Sequence, residues 1–239
     1  MKRLAAILLC AAVAVPLTFS QEIRTAPEFF ATVAERYSSI TDYIAEVEMT
    51  TPEQTLTGTL YYRRPNQVRI DFSNPEGQVL VSDGDALKVY IPEYDVVLQQ
   101  ELTRSGGNQV SGLASSDGLK LMQENYSIAY LDSPEPVPLN SPEDGEEAEA
   151  RSQPATDGEM VTKLRLTWRS TSEGFRQLTL SIDEDRLIRR IVGVTVNYDE
   201  IRFDFLDIEL NQNIPTARFD YEAPSSANLF NNFLFEQEG

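Results

Sequence analysis

The sequence predicts a mainly β fold, one antiparallel sheet of about eleven strands that curls into a barrel or half-barrel and is covered by helices. From residue 43 onward, short runs alternate apolar and polar residues with the period of two that a strand requires. Turn signals such as Asn74-Pro75-Glu76-Gly77 and Asp83-Gly84 join these runs. Consecutive strands joined by short turns are antiparallel.

The first twenty residues have the three parts of an export signal. Lys2 and Arg3 supply the charged start, residues 4–17 an apolar run, and Thr18-Phe19-Ser20 the cleavage region. We therefore predict a signal peptide at 1–20 and a single domain at 21–239 located in the periplasm. The sole cysteine, Cys10, lies inside the signal. A lipidation site there is an alternative, which the bulky Leu9 before it disfavours.

Composition excludes several classes of function. The formal net charge is -18, which repels nucleic acid and anionic lipid headgroups. Histidine is absent, and cleavage of the predicted signal would remove the one cysteine. Serine-histidine and cysteine-histidine catalysis and histidine-zinc sites are therefore excluded. We expect no cofactor and no metal.

A helix is predicted over residues 25–40. Thr25 and Glu28 form a capping box, and an apolar face includes Phe29, Phe30 and Val33. Periodicity does not separate a helix packed on a core from a helix that covers a ligand cavity. A second, short helix is predicted at 117–124, with Leu119, Leu121 and Met122 as its apolar residues.

The alternating runs predict the positions of the strands. They are expected at 43–49, 56–64, 68–72, 78–82, 87–91, 95–101, 126–130, 164–168, 175–182, 187–198, 201–210 and 216–221. Residues 132–160 interrupt the series with nine acidic residues, one arginine and five prolines. Such a segment has little to bury, so we predict that 132–160 is an acidic disordered insertion.

One cation conflicts with the apolar pattern. Leu56, Leu60 and Tyr62 share one face of the second strand, and Arg64 is in phase with them. Alternation would carry its guanidinium toward an apolar surface, which is costly unless something accepts its hydrogen bonds. A departure of this kind points to a functional site.

Several motifs resemble one known family. The stretch Gly58 to Asn66 (GTLYYRRPN), the run Leu80-Val81-Ser82-Asp83-Gly84 and the pair Tyr90 and Pro92 resemble the periplasmic outer-membrane lipoprotein carrier proteins of the LolA type. The resemblance continues at 175–182 and at 217–224. The acidic insertion and the tail from Asn228 are not typical of that family.

The resemblance implies an unclosed antiparallel half-barrel under a helical lid, with lipoprotein acyl chains in the hollow between them. It implies that Arg64 is the lid latch, bound to lid backbone carbonyls when the carrier is empty. The implied partners are acylated lipoproteins, the inner-membrane lipoprotein-releasing ABC transporter and an outer-membrane acceptor, with the carrier a monomer. The candidate cavity lining is Leu56, Leu60, Tyr62, Val68, Ile70, Phe72, Val89 and Trp168, and the candidate lid residues are Phe29, Phe30, Val33 and Leu121.

Two other functions remain as alternatives. One is a periplasmic regulatory or sensor module that binds lipid in the same half-barrel. The other is a glycosidase-like enzyme using Asp204, Asp207 or Glu209. Simple alternation places Asp207 and Glu209 on the same face as Phe203 and Phe205, and no motif supplies a nucleophile or a base. We therefore predict a carrier and no enzymatic activity.

Overall fold

The computed structural model describes residues 24–101, 116–141, 158–170 and 174–231. Helix α1, Ala26–Ser39, begins with the predicted capping box: Thr25 Oγ1 accepts from the Glu28 amide, and Glu28 Oε2 accepts from the Thr25 amide. Six strands follow: β1 Asp42–Thr50, β2 Thr55–Arg63, β3 Gln67–Asn74, β4 Val79–Ser82, β5 Ala86–Ile91 and β6 Val96–Glu101. Helix α2, Ser116–Asn125, precedes β7 Tyr126–Tyr130, β8 Val137–Pro138, β9 Met160–Trp168, β10 Phe175–Ile182, β11 Ile188–Thr195, β12 Glu200–Leu210 and β13 Asn228–Asn231.

The described strands form one unclosed sheet. Its order is β13-β6-β5-β4-β3-β2-β1-β12-β11-β10-β9-β7, and β8 pairs with β9 beside this path. Neighbours are antiparallel except β13 and β6, which are parallel. Within the described residues β13 and β7 end the path, so the predicted half-barrel is confirmed, with 13 strands rather than about eleven.

The sheet bends around α1. Leu60 of β2 and Val68 of β3 belong to the same buried cluster as Leu164 of β9 and Leu180 of β10, and Phe30 of α1 lies among them. Strands far apart in the order can share one core only if the sheet is curved. The face that carries these residues is called the inner face below.

Residues 211–227 cross the opposite, outer face from β12 to β13. Ile214 and Phe219 are buried there against Val81 of β4. The guanidinium of Arg63 donates to the carbonyl of Ile214. This crossing brings the chain from β12, which lies beside β1, to the far edge at β6.

The strand predicted at 216–221 is wrong. Thr216–Phe219 form a single 3₁₀ turn that follows Pro215. Arg218 on this turn donates to Asp71 Oδ2 of β3 over 2.6 Å, and its guanidinium lies 4.0 Å from the Tyr61 ring. The alternating apolar residues here pack onto a face of the sheet and do not pair with a strand. The same periodicity fits both arrangements, so the sequence pattern does not distinguish them.

The disordered insertion predicted at 132–160 is wrong at both its ends. Residues 132–141 are placed, β8 pairs with β9, and Leu139 is only 2% exposed. Residues 158–160 lead into β9. The sequence prediction missed this because composition averages over the segment, whereas one buried side chain anchors its first part. The remainder, 142–157, lies outside the described residues.

Strand β12 contains a bulge that changes which side chains face inward. Asp207 has φ of 47°, and the register with β1 shifts between Ile44 and Glu46. Phe203 and Phe205 before the bulge and Ile208 and Leu210 after it all pack against the inner core. The expectation that Asp207 shares a face with the phenylalanines is therefore wrong, since one extra residue reverses the alternation.

Candidate functional site

The inner face carries an unbroken apolar row across the first half of the sheet. Register pairs Ala45 with Leu60, Leu60 with Ile70, Ile70 with Leu80, Leu80 with Val89 and Val89 with Leu98. Directly paired residues point to the same face of a sheet. Ala45 and Leu60 are buried under the helices, whereas the row from Ile70 to Leu98 is half-buried.

The other predicted lining residues of this half share that face. Tyr62 pairs with Val68, and Phe72 pairs with Gly58. Leu56 stands two residues before Gly58 on the same side of β2 and is 4% exposed. The structure therefore brings together all seven lining candidates from β2, β3 and β5.

Trp168 lies in the second half of the sheet. It ends β9, pairs with the buried Tyr126 and packs against the same core as Leu60. The guanidinium of Arg176 lies 5.5 Å from its ring and 3.9 Å from the ring of Tyr198, which is 73% exposed. Trp168 therefore has a cation and an exposed aromatic beside it, an arrangement that sequence reasoning did not predict.

The helices cover the inner face. On α1, Phe29, Phe30 and Val33 are buried, as expected for its apolar side. On α2, Leu119 is fully buried and Met122 is 7% exposed. The lid assignment of Leu121 is wrong in this structure, where it is 48% exposed. Residues two apart on a helix point in nearly opposite directions, so Leu119 and Leu121 cannot both face inward.

Arg64 is attached to the end of α1. Its Nη1 donates to the carbonyl of Ser38, and its backbone amide donates to the Thr41 carbonyl over 2.9 Å. A cation beside the last carbonyls of a helix also interacts favourably with the helix dipole. The side chain is exposed, so the expectation that it points at an apolar surface is wrong. Strand β2 ends at Arg63, and the alternation does not continue to residue 64.

The turn between β10 and β11 holds α1 at a second place. The hydroxyl of buried Tyr37 accepts from the Ile188 amide over 3.1 Å. Arg36 Nε donates to the Asp185 carbonyl over 3.3 Å, and the guanidinium of Arg186 lies 4.7 Å from the Phe29 ring. Sequence reasoning missed this attachment, because Tyr37 reads simply as one more apolar-face residue.

Burial raises the pKa of two groups at this attachment. It raises the pKa of the Tyr37 hydroxyl, which therefore stays neutral and available as an acceptor. Burial also raises the pKa of Asp183, although its Oδ1 accepts from the Leu187 amide over 2.8 Å. The Tyr37 contact is thus a neutral hydrogen bond to the main chain, which can be exchanged without separating a buried ion pair.

We expect Tyr37→Phe to lower the free energy of unfolding by about 1–3 kcal/mol, because the Ile188 amide loses its acceptor in a buried place. Urea denaturation measures the loss, and faster amide hydrogen exchange at Ile188 locates it. Tyr130→Phe is the matched control, since the Tyr130 hydroxyl donates to the Arg24 carbonyl in an exposed bond. Equal losses in the two variants would contradict a special role for Tyr37.

A groove of about 680 Å³ opens beside α1 and the β10–β11 turn. Phe29 and Ile182 contribute apolar walls, but Glu159, Asp183 and Asp185 also line it. Carboxylates on the walls favour water and polar groups over hydrocarbon. The groove therefore differs in character from the inner-face row.

The carboxylates considered for catalysis are not brought together as an acid and a base. Asp204 is held by Arg190 over 2.5 Å and by Arg202 over 2.9 Å. Asp207 occupies the bulge. Among the residues that the structure describes, no group of three or more histidine, cysteine or acidic side chains could hold a metal ion. In the same residues, no helix is long and apolar enough to cross a bilayer.

Comparison with known proteins gives consistent matches. The family model for the outer membrane lipoprotein carrier protein LolA matches residues 46–135. The outer-membrane lipoprotein carrier protein of Chromohalobacter salexigens is 26% identical over 230 residues, which is 92% of each chain. The protein of the same description from Azotobacter vinelandii is 24% identical over 234 residues, or 95% of this chain and 98% of the relative.

A solved structure shows the same fold. An uncharacterized conserved protein from Thermus thermophilus superposes with a TM-score of 0.52 at 14% identity, covering 84% of this chain and 98% of the other. At that identity the likeness concerns the fold alone. The sequence matches therefore show that this chain is similar to the outer-membrane lipoprotein carrier proteins of the LolA family.

Proposed function

We propose that this protein is a periplasmic carrier that encloses the acyl chains of lipoproteins between the inner face of its sheet and helices α1 and α2. One observation carries the proposal: an unbroken apolar row, half-buried from Ile70 to Leu98, continues under a helix that a few polar contacts hold in place. Binding of hydrocarbon chains requires an apolar surface of this kind and does not require a reactive side chain. No catalytic step is part of this function.

The energetics of acyl chains explain why a cover is needed. Each buried methylene is worth about 0.8 kcal/mol, so an anchor with several chains binds strongly to any dry apolar hollow. A carrier that relied on spontaneous dissociation would not release it. Loading from the inner-membrane lipoprotein-releasing ABC transporter and release to an outer-membrane acceptor must therefore be coupled to movement of the cover.

Helix α1 is the cover in this proposal, and Arg64 is its latch. The guanidinium bond to the Ser38 carbonyl fixes the C-terminal end of the helix, and Tyr37 fixes its underside at Ile188. Entering chains would exchange contacts with Phe29, Phe30 and Val33 for acyl contacts, and the latch bonds would break. The ligand then shifts a balance between closed and open states by its preference for the open one.

The test uses Arg64→Leu and native mass spectrometry with a triacylated peptide. Loss of one hydrogen bond that favours the closed state by about 1 kcal/mol should raise the affinity for the peptide about fivefold. We expect Arg64→Leu to retain bound lipid after purification, while the wild type is empty or mixed. Trp168 is the only tryptophan, so its emission gives a second readout from the inner face.

Arg63→Leu is the matched control. Arg63 is adjacent and has the same chemistry, but its guanidinium is bound to Ile214 on the outer face. It should leave the bound fraction at the wild-type value. If neither the wild type nor Arg64→Leu binds the triacylated peptide, the carrier proposal is wrong. If both arginine variants retain lipid equally, Arg64 is not the latch.

A further inference from the structure

Strand β13 adds an exposed edge to the sheet at the end farthest from β7. It runs parallel to β6 over Asn228–Asn231, and the Asn228 amide donates to the Asp95 carbonyl over 2.8 Å. Leu229 is 55% exposed and Phe230 is 54% exposed. The backbone of β13 is sufficient to pair the polar edge groups of β6. That pairing does not require two large, exposed apolar side chains on a strand of four residues.

The two side chains point to opposite faces. Phe230 pairs with Leu98, which belongs to the inner-face apolar row. Leu229 pairs with Val97, which pairs with Tyr90 and through it with Val79, a residue packed in the outer cluster of Ile214 and Phe219. Phe230 therefore extends the inner row by one strand, and Leu229 does not.

We infer that Phe230 is part of the acyl-binding surface and contacts the hydrocarbon chains of the lipoprotein anchor at the open edge of the half-barrel. This inference rests on the proposed carrier function. The row from Ala45 to Phe230 crosses seven strands, which at strand spacing is about 29 Å. An acyl chain spans one leaflet, about 15 Å of a bilayer core of about 30 Å, so several chains side by side or in line can occupy the row.

Charge supports the same occupant. The row from Ile70 to Leu98 and Phe230 contains no charged side chain, although the net charge of the chain is -18. A half-exposed phenylalanine at the end of such a row loses its contact with water when hydrocarbon covers it. The row thus provides a continuous apolar path from the covered core beneath α1 to the edge strand.

The test compares Phe230→Ser with Leu229→Ser in the full chain. The variants are matched in strand, exposure and backbone pairing, and differ in the face that loses an apolar group. We expect Phe230→Ser to weaken binding of a triacylated peptide about tenfold, since burying half or more of a phenylalanine is worth about one decade of affinity. Leu229→Ser should bind as the wild type does. Trp168 emission during titration gives the affinities.

The outcomes separate this inference from the function it rests on. A wild type that does not bind the triacylated peptide overturns the carrier proposal and the inference with it. A wild type that binds, with Phe230→Ser unchanged, overturns the inference alone. Equally weakened peptide binding in both variants also overturns the inference. The loss would then not depend on the face, and β13 would only stabilise the edge of the sheet. Urea midpoints at the wild-type value show that both variants are folded.

Discussion

Replacing Gly58 by alanine is expected to lower the free energy of unfolding by about 3 kcal/mol, the upper end of the usual cost of overpacking. A Cβ at this position would lie 2.5 Å from the Asp71 carbonyl oxygen and 2.8 Å from the Phe72 Cα. Both are backbone atoms of the neighbouring strand β3, where the register with β2 shifts beside Gly58. They cannot move aside without disturbing the ladder that carries the inner-face row.

Gly193→Ala is the matched control for this prediction. A Cβ there would lie 2.7 Å from atoms of the Phe175 ring, which is a side chain that can rotate. We expect a loss of about 1 kcal/mol, again from overpacking. Alanine is no worse than glycine in strands, so propensity cannot explain a loss in either variant. Unfolding in urea measures both, and equal stability of the two variants would contradict the backbone contact as the cause.

Replacing Arg190 by methionine is expected to lower the free energy of unfolding by about 3 kcal/mol, because it leaves a buried carboxylate with one partner fewer. The Arg190 and Asp204 side chains are 9% and 10% exposed. Arg190 also donates to the Leu139 carbonyl over 3.4 Å and to Asn140 Oδ1 over 3.1 Å. Its loss therefore also loosens the segment that carries β8.

A double-mutant cycle checks this interpretation. Asp204→Leu alone leaves the Arg190 cation buried without its carboxylate and should cost a similar amount. The variant with both changes should lose at least about 1 kcal/mol less than the sum of the single losses, as is usual for directly paired residues. Additive losses measured by urea denaturation would show that the two side chains act separately. The Arg202–Asp204 ion pair is lost equally in Asp204→Leu and in the double variant, so its contribution cancels in the cycle.

Local patterns predicted most of the elements. Thr25 and Glu28 marked the start of α1 because a capping box satisfies amides within one turn, without help from the rest of the chain. Period-two alternation located strands such as β2 and β3, because every second residue of β2 is buried and Val68 and Phe72 of β3 are buried on one face. The lining candidates could be grouped on one face for the same reason.

The errors concern residues whose environment comes from distant parts of the chain. Arg64 is exposed because β2 stops at Arg63 and α1 presents the Ser38 carbonyl beside it. Leu121 faces outward because Leu119 and Met122 occupy the inner side of α2. Residues 216–219 form a turn because the outer face of the sheet offers Val81 as a packing partner.

The signal peptide predicted at 1–20 lies outside the described residues. The sequence by itself determined the class of fold and the apolar faces. These depend on composition and on periods of two to four residues, which local backbone geometry sets. Only the tertiary structure decided the position of Arg64 at the end of α1, the attachment of Tyr37 to Ile188, the bulge at Asp207 and the pairing of β13 with β6. Each of these joins segments far apart in the chain or depends on a one-residue change of register, and neither leaves a periodic signal in the sequence.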